Sequence, residues 1–137
     1  MAKLEKVIET ALYCDDLELS IPFYKEILQL KPIMQMDRLC AFDVNGQSVL
    51  LLFQRGASLQ PQHTEGGSIP PHDGHGPLHM AFAIQASEMA EWKQRLTDRG
   101  VTIISQVQWP LGGSSVYFHD PDGHVIELAT PGVWETY

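Results

Sequence analysis

Three residues that could ligate a metal ion lie in otherwise apolar, strand-like segments of this 137-residue chain. Glu9, His79 and Glu127 each occur in a short apolar or β-branched run, where side chains alternate between two faces. If each of them points inward, the residues that share its face are mostly alanine and valine. Carboxylates and an imidazole in an apolar setting can bind a divalent cation or move a proton.

The elements that would position these residues follow from apolar periodicity. Residues 7–14 are predicted as a strand, and Asp16 is a candidate N-cap for an amphipathic helix that continues to Leu28. Pro22 fits this helix if it falls in the first turn, where its missing N–H has no partner to lose. Two strands are then predicted at 39–44 and 48–53, and Asn45-Gly46 is predicted as the hairpin turn between them.

The same order of elements recurs in the second half. Residues 78–84 are predicted as a strand, Ser87 as the N-cap of a helix, and Arg99-Gly100 as the end of that helix. Further strands are predicted at 101–104, 115–118 and 124–129, and a turn is predicted at Asp120–Gly123. Overlaying the halves places Glu9 on His79 and Leu51 on Glu127, which indicates a tandem repeat of one supersecondary unit.

The segment between the halves, Gln54–Pro77, is rich in glycine and proline and is predicted as a loop. Loops of this length in compact domains are usually lids, binding loops or disordered segments. His72 and His75 are the loop histidines closest to His79 in the chain, and they are the ones expected to fold over a cavity. His124 should point away from the face of Glu127, so we expect it to have a structural role.

Composition narrows the functional class. With 44% hydrophobic and 19% charged residues, the chain is predicted to be globular rather than disordered. Its net charge of -8 repels phosphate backbones, so nucleic acid is not an expected partner. No segment resembles a signal peptide or membrane span, so we expect a cytoplasmic protein. Cys14 and Cys40 are expected to be buried and reduced.

Three motifs resemble the vicinal oxygen chelate superfamily, which contains glyoxalases, bleomycin resistance proteins and extradiol dioxygenases. They are DLELSIPFY at 16–24, HMAF at 79–82 and DPDGHVIEL at 120–128. The resemblance implies an α+β fold in which paired βαβββ modules form a curved mixed sheet around a cavity. It implies one domain over 1–137, with module one at about 5–54, a linker at about 55–77 and module two at about 78–132.

The resemblance also implies a metal site. Metal-dependent relatives use four equivalent positions, which here carry Glu9, Leu51, His79 and Glu127, and only leucine cannot ligate. One imidazole and two carboxylates suit Mn²⁺, Fe²⁺, Ni²⁺ or Zn²⁺ with open positions for a substrate. Leu51 argues against glyoxalase I activity, whose relatives usually supply four ligands. Glu9 disfavours ring-cleaving iron chemistry, because dioxygenases and fosfomycin-resistance relatives usually have histidine there.

The predicted function is therefore a metal-dependent, glyoxalase- or dioxygenase-like enzyme. It would act on a small oxygenated substrate by lyase, isomerase or oxygenase chemistry, with Glu9 or Glu127 also moving a proton. The predicted cavity residues are Tyr13, Leu51, Phe53 and His72. A further hypothesis is that Trp109 and Trp134 form an aromatic part of the cavity wall.

Two alternatives remain open. The first is a metal-free, bleomycin-resistance-like protein that binds and sequesters a small molecule, with one proton shared among Glu9, His79 and Glu127. The second is a scaffold that keeps the fold without an active site. In either case we expect a homodimer, because exposed sheet edges are commonly covered by pairing.

Overall fold

The computed structural model describes residues 1–137, and its contacts divide the chain into two units, Met1–Gly76 and Pro77–Tyr137. The boundary falls at the end of the segment predicted as a linker, so the loop belongs to the first unit. Each unit contains one mixed four-stranded sheet and one helical segment in βαβββ order. The predicted α+β fold class is confirmed.

The first unit has its sheet in the order β1-β4-β3-β2, in which β1 and β4 are parallel and the other pairs are antiparallel. Its strands are β1 (Glu9–Cys14), β2 (Lys31–Met36), β3 (Leu39–Val44) and β4 (Ser48–Gln54). The predicted turn between β3 and β4 is confirmed. Asn45 and Gly46 both adopt positive φ angles, 53° and 66°, as a tight hairpin turn requires.

The helix after β1 is interrupted at its proline. Helix α1 covers Leu17–Pro22 and is capped by Asp16, whose carboxylate accepts the Glu18 N–H at 2.9 Å. Pro22 does not meet the condition under which it would fit a regular helix, because it is the last residue of α1 and not in its first turn. Its missing N–H breaks the regular bonding pattern, and the chain widens into a π-helical turn at Phe23–Ile27.

The long loop is not wholly irregular, contrary to prediction. It contains a small antiparallel hairpin formed by β5 (Gln62–Thr64) and β6 (Gly67–Ile69). The Thr64 hydroxyl donates to the Gly67 carbonyl at 2.7 Å and closes the turn. Sequence periodicity cannot detect strands of three residues.

The second unit repeats the topology of the first, with the order β7-β10-β9-β8 and a parallel pairing of β7 with β10. Its strands are β7 (His79–Ala83), β8 (Ser105–Gln108), β9 (Ser114–His119) and β10 (Val125–Ala129). Strands β2 and β8 are the outer strands of the two sheets on the side away from β1 and β7. The homodimer that would cover such edges stays a prediction.

The helical segment of the second unit begins two residues earlier than predicted. Gln85, not Ser87, caps a 3₁₀ turn at Ala86–Glu88, and helix α2 (Met89–Asp98) follows directly. The predicted end is confirmed, because Gly100 has a positive φ of 75°. Neither helical segment of the chain has the length and hydropathy needed to cross a lipid bilayer.

The predicted strand at 101–104 is wrong. The Val101 N–H still donates to the Leu96 carbonyl at 2.8 Å and so completes the C-terminus of α2. Only Ile104 reaches the neighbouring strand, through a 2.8 Å bond from its N–H to the Tyr117 carbonyl, and β8 begins at the next residue. The β-branched run is therefore a connection between α2 and β8.

The strand registers confirm the predicted overlay of the two halves. Glu9 pairs with Val49 at the start of β1, and His79 pairs with Val125 at the start of β7. Leu51 and Glu127 then occupy the same place on β4 and β10, two residues further on. The opposite faces of the two sheets hold the buried apolar residues Leu12, Leu50, Leu52, Phe118, Ile126 and Leu128. Both cysteines are buried and free, as expected.

Candidate metal and substrate site

The second unit brings His79 and Glu127 together on one face of its sheet. His79 opens β7, and Glu127 lies in the middle of β10, which runs parallel to β7. The His79 Nε2 and Glu127 Oε1 atoms are 3.3 Å apart. The His79 side chain is 53% exposed and the Glu127 side chain 7%, so the carboxylate lies deeper than the imidazole.

The orientation of the His79 ring is fixed by the backbone of β10. Its Nδ1 lies 2.8 Å from the Val125 carbonyl oxygen, which can only accept a hydrogen bond, so Nδ1 carries the proton. In the neutral ring, the lone pair is then on Nε2, the atom that faces Glu127. Metal-binding histidines commonly have this kind of outer partner.

The second oxygen of Glu127 is held by a chain of hydrogen bonds that the sequence analysis missed. The Ser115 hydroxyl donates to Glu127 Oε2 at 2.5 Å, and the Trp109 indole N–H donates to Ser115 Oγ at 2.8 Å. Ser115 lies on β9, the antiparallel neighbour of β10. The turn before β10 sets the register between β9 and β10. With that register, the alternation of side chains places Ser115 on the same face as Glu127.

Tyr117 is a second residue that the sequence analysis missed. It lies directly opposite Glu127 in the β9–β10 register, and its ring stacks against His79 with centroids 6.2 Å apart. Burial raises the pKa of the Tyr117 hydroxyl, and the nearby negative charge of Glu127 raises it further. The phenol therefore stays protonated near neutral pH and can donate a hydrogen bond.

A cavity of about 500 Å³ opens on this face of the second unit. Its wall comprises His79, Ala81, Phe82, Ala83, Trp109, Tyr117, Glu127, Ala129, Val133, Trp134 and Tyr137. The hypothesis of an aromatic wall at Trp109 and Trp134 agrees with this geometry. The volume lies in the range typical of pockets for small organic ligands.

The geometry of His79 and Glu127 fits a divalent metal. Two atoms that bind one ion at about 2.0–2.2 Å lie about 2.9–3.5 Å apart in octahedral or tetrahedral coordination. The 3.3 Å separation of His79 Nε2 and Glu127 Oε1 falls in this range. The same distance fits an ion pair between the carboxylate and a protonated imidazole, which is the metal-free alternative.

The third predicted ligand, Glu9, belongs to the first unit. It opens β1 opposite Val49, and its exposed carboxylate forms no hydrogen bond or ion pair in this structure. Leu51, at the position equivalent to Glu127, packs against a buried apolar cluster of the same unit. The convergence of Glu9 with His79 and Glu127 stays a prediction.

The other predicted cavity residues form an aromatic cluster within the first unit. The Tyr13 hydroxyl and His72 Nδ1 form a 2.7 Å hydrogen bond, and the rings of Phe53 and His72 meet edge to face at 4.5 Å. Tyr13 also stacks on Phe53 at 5.7 Å. Burial raises the pKa of Tyr13, and the charge of Asp73 adds to the increase.

The loop is fixed where it covers this cluster. The His72 N–H donates to the Ser58 carbonyl at 3.0 Å, and Asp73 accepts the Gly56 N–H at 2.9 Å. A Cβ atom on Gly74 would lie 2.6 Å from the Tyr13 ring, so only glycine permits this close approach. Residues 72–74 are therefore anchored against the first sheet, where they partly cover its aromatic cluster.

The remaining polar cluster belongs to the turn before β10. The ligand-type atoms of Asp120, Asp122 and His124 lie within 4.8 Å of one another. However, Asp120 Oδ1 accepts the N–H groups of Asp122 and His124, each at 2.9 Å. His124 is fully buried, and its Nδ1 accepts the Leu78 N–H at 2.9 Å. The structural role expected of His124 agrees with this geometry.

Comparison with known proteins identifies the family. A family model described as the Glyoxalase/Bleomycin resistance protein/Dioxygenase superfamily matches residues 6–128. The chain belongs to this superfamily. The resemblance inferred from the three sequence motifs is thereby confirmed.

Two curated relatives and one solved structure are similar to this chain over most of its length. The metallothiol transferase FosB of Bacillus licheniformis is 32% identical over 88% of this chain and 71% of its own length. The glutathione transferase FosA of Serratia marcescens is 28% identical over 91% of this chain and 80% of its own length. The crystal structure of a lactoylglutathione lyase from Agrobacterium tumefaciens has 30% identity and a TM-score of 0.88, covering 98% of this chain and 99% of that one.

Proposed function

We propose that this protein is a metal-dependent enzyme that acts on a small oxygenated substrate, with Glu9, His79 and Glu127 as the metal ligands. One observation carries the proposal: His79 Nε2 and Glu127 Oε1 face each other at 3.3 Å while their other polar atoms are bonded elsewhere. Both groups are thus oriented before any ion binds, which is typical of metal sites.

The chemistry divides among the side chains by their surroundings. A bound divalent ion would act as a Lewis acid towards neighbouring substrate oxygens. Glu127 is suited to ligation, because Ser115 holds its carboxylate in place. Glu9 is suited to moving a proton as well as to ligation, since its exposed carboxylate is free to turn. Tyr117 is placed to donate a hydrogen bond to a substrate oxygen beside Glu127.

Group transfer joins lyase and isomerase chemistry as a candidate reaction. The curated relatives from Bacillus licheniformis and Serratia marcescens are named as transferases that use thiols, whereas the structural relative is named as a lyase. All of these reactions gain from an electrophilic centre that stabilises a developing oxyanion. Oxygenase chemistry is the least supported, because Glu9 replaces the histidine expected for it.

Metal content of the purified protein tests the proposal against the metal-free alternative. Protein prepared without chelators or added metal should carry close to one equivalent of Mn, Fe, Ni or Zn by elemental mass spectrometry. Glu127→Gln should lose most of it, since the amide is a weaker ligand. Glu91→Gln, which alters an exposed carboxylate on α2, should retain it. Equal metal content in all three proteins would favour adventitious binding and the sequestering function.

A further inference from the structure

His124 is a fully buried histidine that is not part of the cavity wall. It directly precedes β10, the strand that carries Glu127. Because side chains alternate along an extended chain, residue 124 belongs to the face opposite that of Glu127. His124 therefore does not contact a ligand in the cavity, and any effect that it has on the site must pass through the backbone.

The imidazole of His124 completes the pairing of β7 with β10. The Val125 N–H donates to the Leu78 carbonyl at 2.8 Å. In a regular parallel ladder, the Leu78 N–H would donate in return to the carbonyl of residue 123. Gly123 instead lies in the turn, with a positive φ of 78°, and the Leu78 N–H donates to His124 Nδ1 at 2.9 Å. The side chain thus takes the place of a backbone acceptor.

Leu78 is the residue through which the long loop enters β7. Gly76 gives the backbone wide conformational freedom, and Pro77 has no N–H with which to join the sheet. Leu78 therefore offers the first N–H that can anchor the strand. Its two hydrogen bonds fix the backbone directly before His79.

The position of His79 decides whether its imidazole reaches Glu127. Its Nδ1 donates to the Val125 carbonyl at 2.8 Å, and its Nε2 faces Glu127 Oε1 at 3.3 Å. A strand advances by about 3.3 Å and changes face with each residue, so a shift of one residue in β7 would remove the imidazole from this face. His79 is the first residue of β7, where strands fray most easily, so its position depends on the anchor before it.

The first unit has no such bond at the equivalent place. The residues equivalent to Leu78 and His124 are Ile8 and Ser48. The Ile8 carbonyl accepts a backbone N–H from β4 at 2.9 Å, as the Leu78 carbonyl does from β10. Ser48, however, forms no hydrogen bond with the Ile8 N–H, and Ile8 is 62% exposed. The additional acceptor thus occurs in the unit that holds the paired imidazole and carboxylate.

We infer that His124 is a positioning residue for the candidate metal site. By accepting the Leu78 N–H, it fixes the start of β7 and holds the His79 imidazole in the orientation that directs Nε2 towards Glu127. The orientation of His79 does not depend on a bound ion, whereas the consequence for metal affinity rests on the proposed function. The two parts of the inference are therefore measured separately.

The hydrogen bond itself is tested in the native, metal-free protein. Because it joins two nitrogen atoms, ¹⁵N NMR should detect a scalar coupling between the Leu78 amide and His124 Nδ1. At a pH at which both rings are neutral, the ring shifts should show His124 protonated on Nε2 and His79 protonated on Nδ1. The absence of the coupling, with His124 protonated on Nδ1, would overturn the inference without any variant.

Two substitutions of similar shape separate the acceptor from the volume of the side chain. His124→Asn can accept the Leu78 N–H through its Oδ1 atom, whereas His124→Leu has no acceptor. Both are smaller than histidine, so both should lose thermal stability. His124→Leu should also populate both tautomers of His79 and weaken Zn²⁺ binding about tenfold, while His124→Asn should keep the native tautomer and an affinity within about threefold of native. Ser48→Ala, the matched control in the first unit, should alter neither property.

Two results from the NMR spectra and calorimetric titrations would overturn the inference. One is a loss of stability in both His124 variants with no change in the His79 tautomer or in Zn²⁺ affinity, which would leave His124 with a structural role alone. The other is an equal effect of His124→Asn and His124→Leu on the His79 tautomer, since the acceptor would then not matter. A changed His79 tautomer in His124→Leu alone, in a protein that binds no Zn²⁺, would support the positioning role and contradict the proposed function.

Discussion

The two sheets of this protein have the same strand order and the same register, yet one face is filled and the other is open. In the first unit, Tyr13 and Phe53 occupy the ends of the inner face on β1 and β4, and His72 covers them. Alanines stand at the equivalent places in the second unit, Ala83 and Ala129. Side-chain volume at matched positions thus decides whether this face becomes core or cavity.

Polarity differs at two other pairs of equivalent positions on the same face. Leu51 and Leu39 of the first sheet correspond to Glu127 and Ser115 of the second. The leucines belong to one apolar cluster, whereas Ser115 and Glu127 form a buried hydrogen bond. A repeated backbone can therefore give structural support in one copy and chemistry in the other.

The largest effect is expected from removing an aromatic side chain from the filled face. Phe53→Ala should lower the free energy of unfolding by about 3–5 kcal/mol, because the site is buried and the cavity left behind cannot collapse fully. Trp134→Ala, which removes a larger but exposed ring from the open face, should change it by about 0.5 kcal/mol or less. Urea denaturation followed by circular dichroism measures both. Similar losses for the two variants would contradict the distinction between the faces.

A smaller effect is expected from the hydrogen bond that holds Glu127. Ser115→Ala should weaken binding of Mn²⁺ or Zn²⁺ on the order of tenfold by freeing the carboxylate to turn. Ser114→Ala is a matched control, since the Ser114 hydroxyl instead donates to Gln108 at 3.0 Å. Calorimetric titration compares the two variants. If both keep native affinity, Ser115 plays no part in positioning Glu127.

The sequence predicted which strand positions share a face, because alternation depends only on local geometry. The equivalence of Glu9 with His79 and of Leu51 with Glu127 followed from the repeat and agrees with the registers. The roles of Ser115 and Tyr117 were not predicted, because contacts across strands depend on a register that a turn sets. The packing of His72 on Tyr13 was beyond sequence reasoning, since it requires the path of a long loop.

The smallest effect concerns the hydrogen bond that closes the filled face. Tyr13→Phe should cost about 1 kcal/mol of stability at neutral pH by removing the bond to His72. Because the folded state raises the Tyr13 pKa, this residue stabilises the fold below its ordinary pKa of about 10 and loses that contribution as pH rises further.

Stability curves for the native and Tyr13→Phe proteins should therefore converge above pH 10. The other tyrosines with raised pKa values, Tyr117 and Tyr137, are present in both proteins and cancel in the comparison. Thermal denaturation between pH 7 and 11 provides the measurement. A constant difference between the proteins over that range would show that Tyr13 titration is not linked to folding.

The central claim is that Glu9, His79 and Glu127 bind one divalent ion, and calorimetric titration with Mn²⁺, Ni²⁺ and Zn²⁺ tests it most directly. The native protein should bind one equivalent, more weakly at acid pH because protons compete for the ligands. His79→Ala should bind none while keeping its fold, and Leu51→Glu should bind on the order of tenfold more tightly through a fourth ligand. Equally weak binding by the native protein and His79→Ala would contradict the claim and leave a protein that binds small molecules without metal.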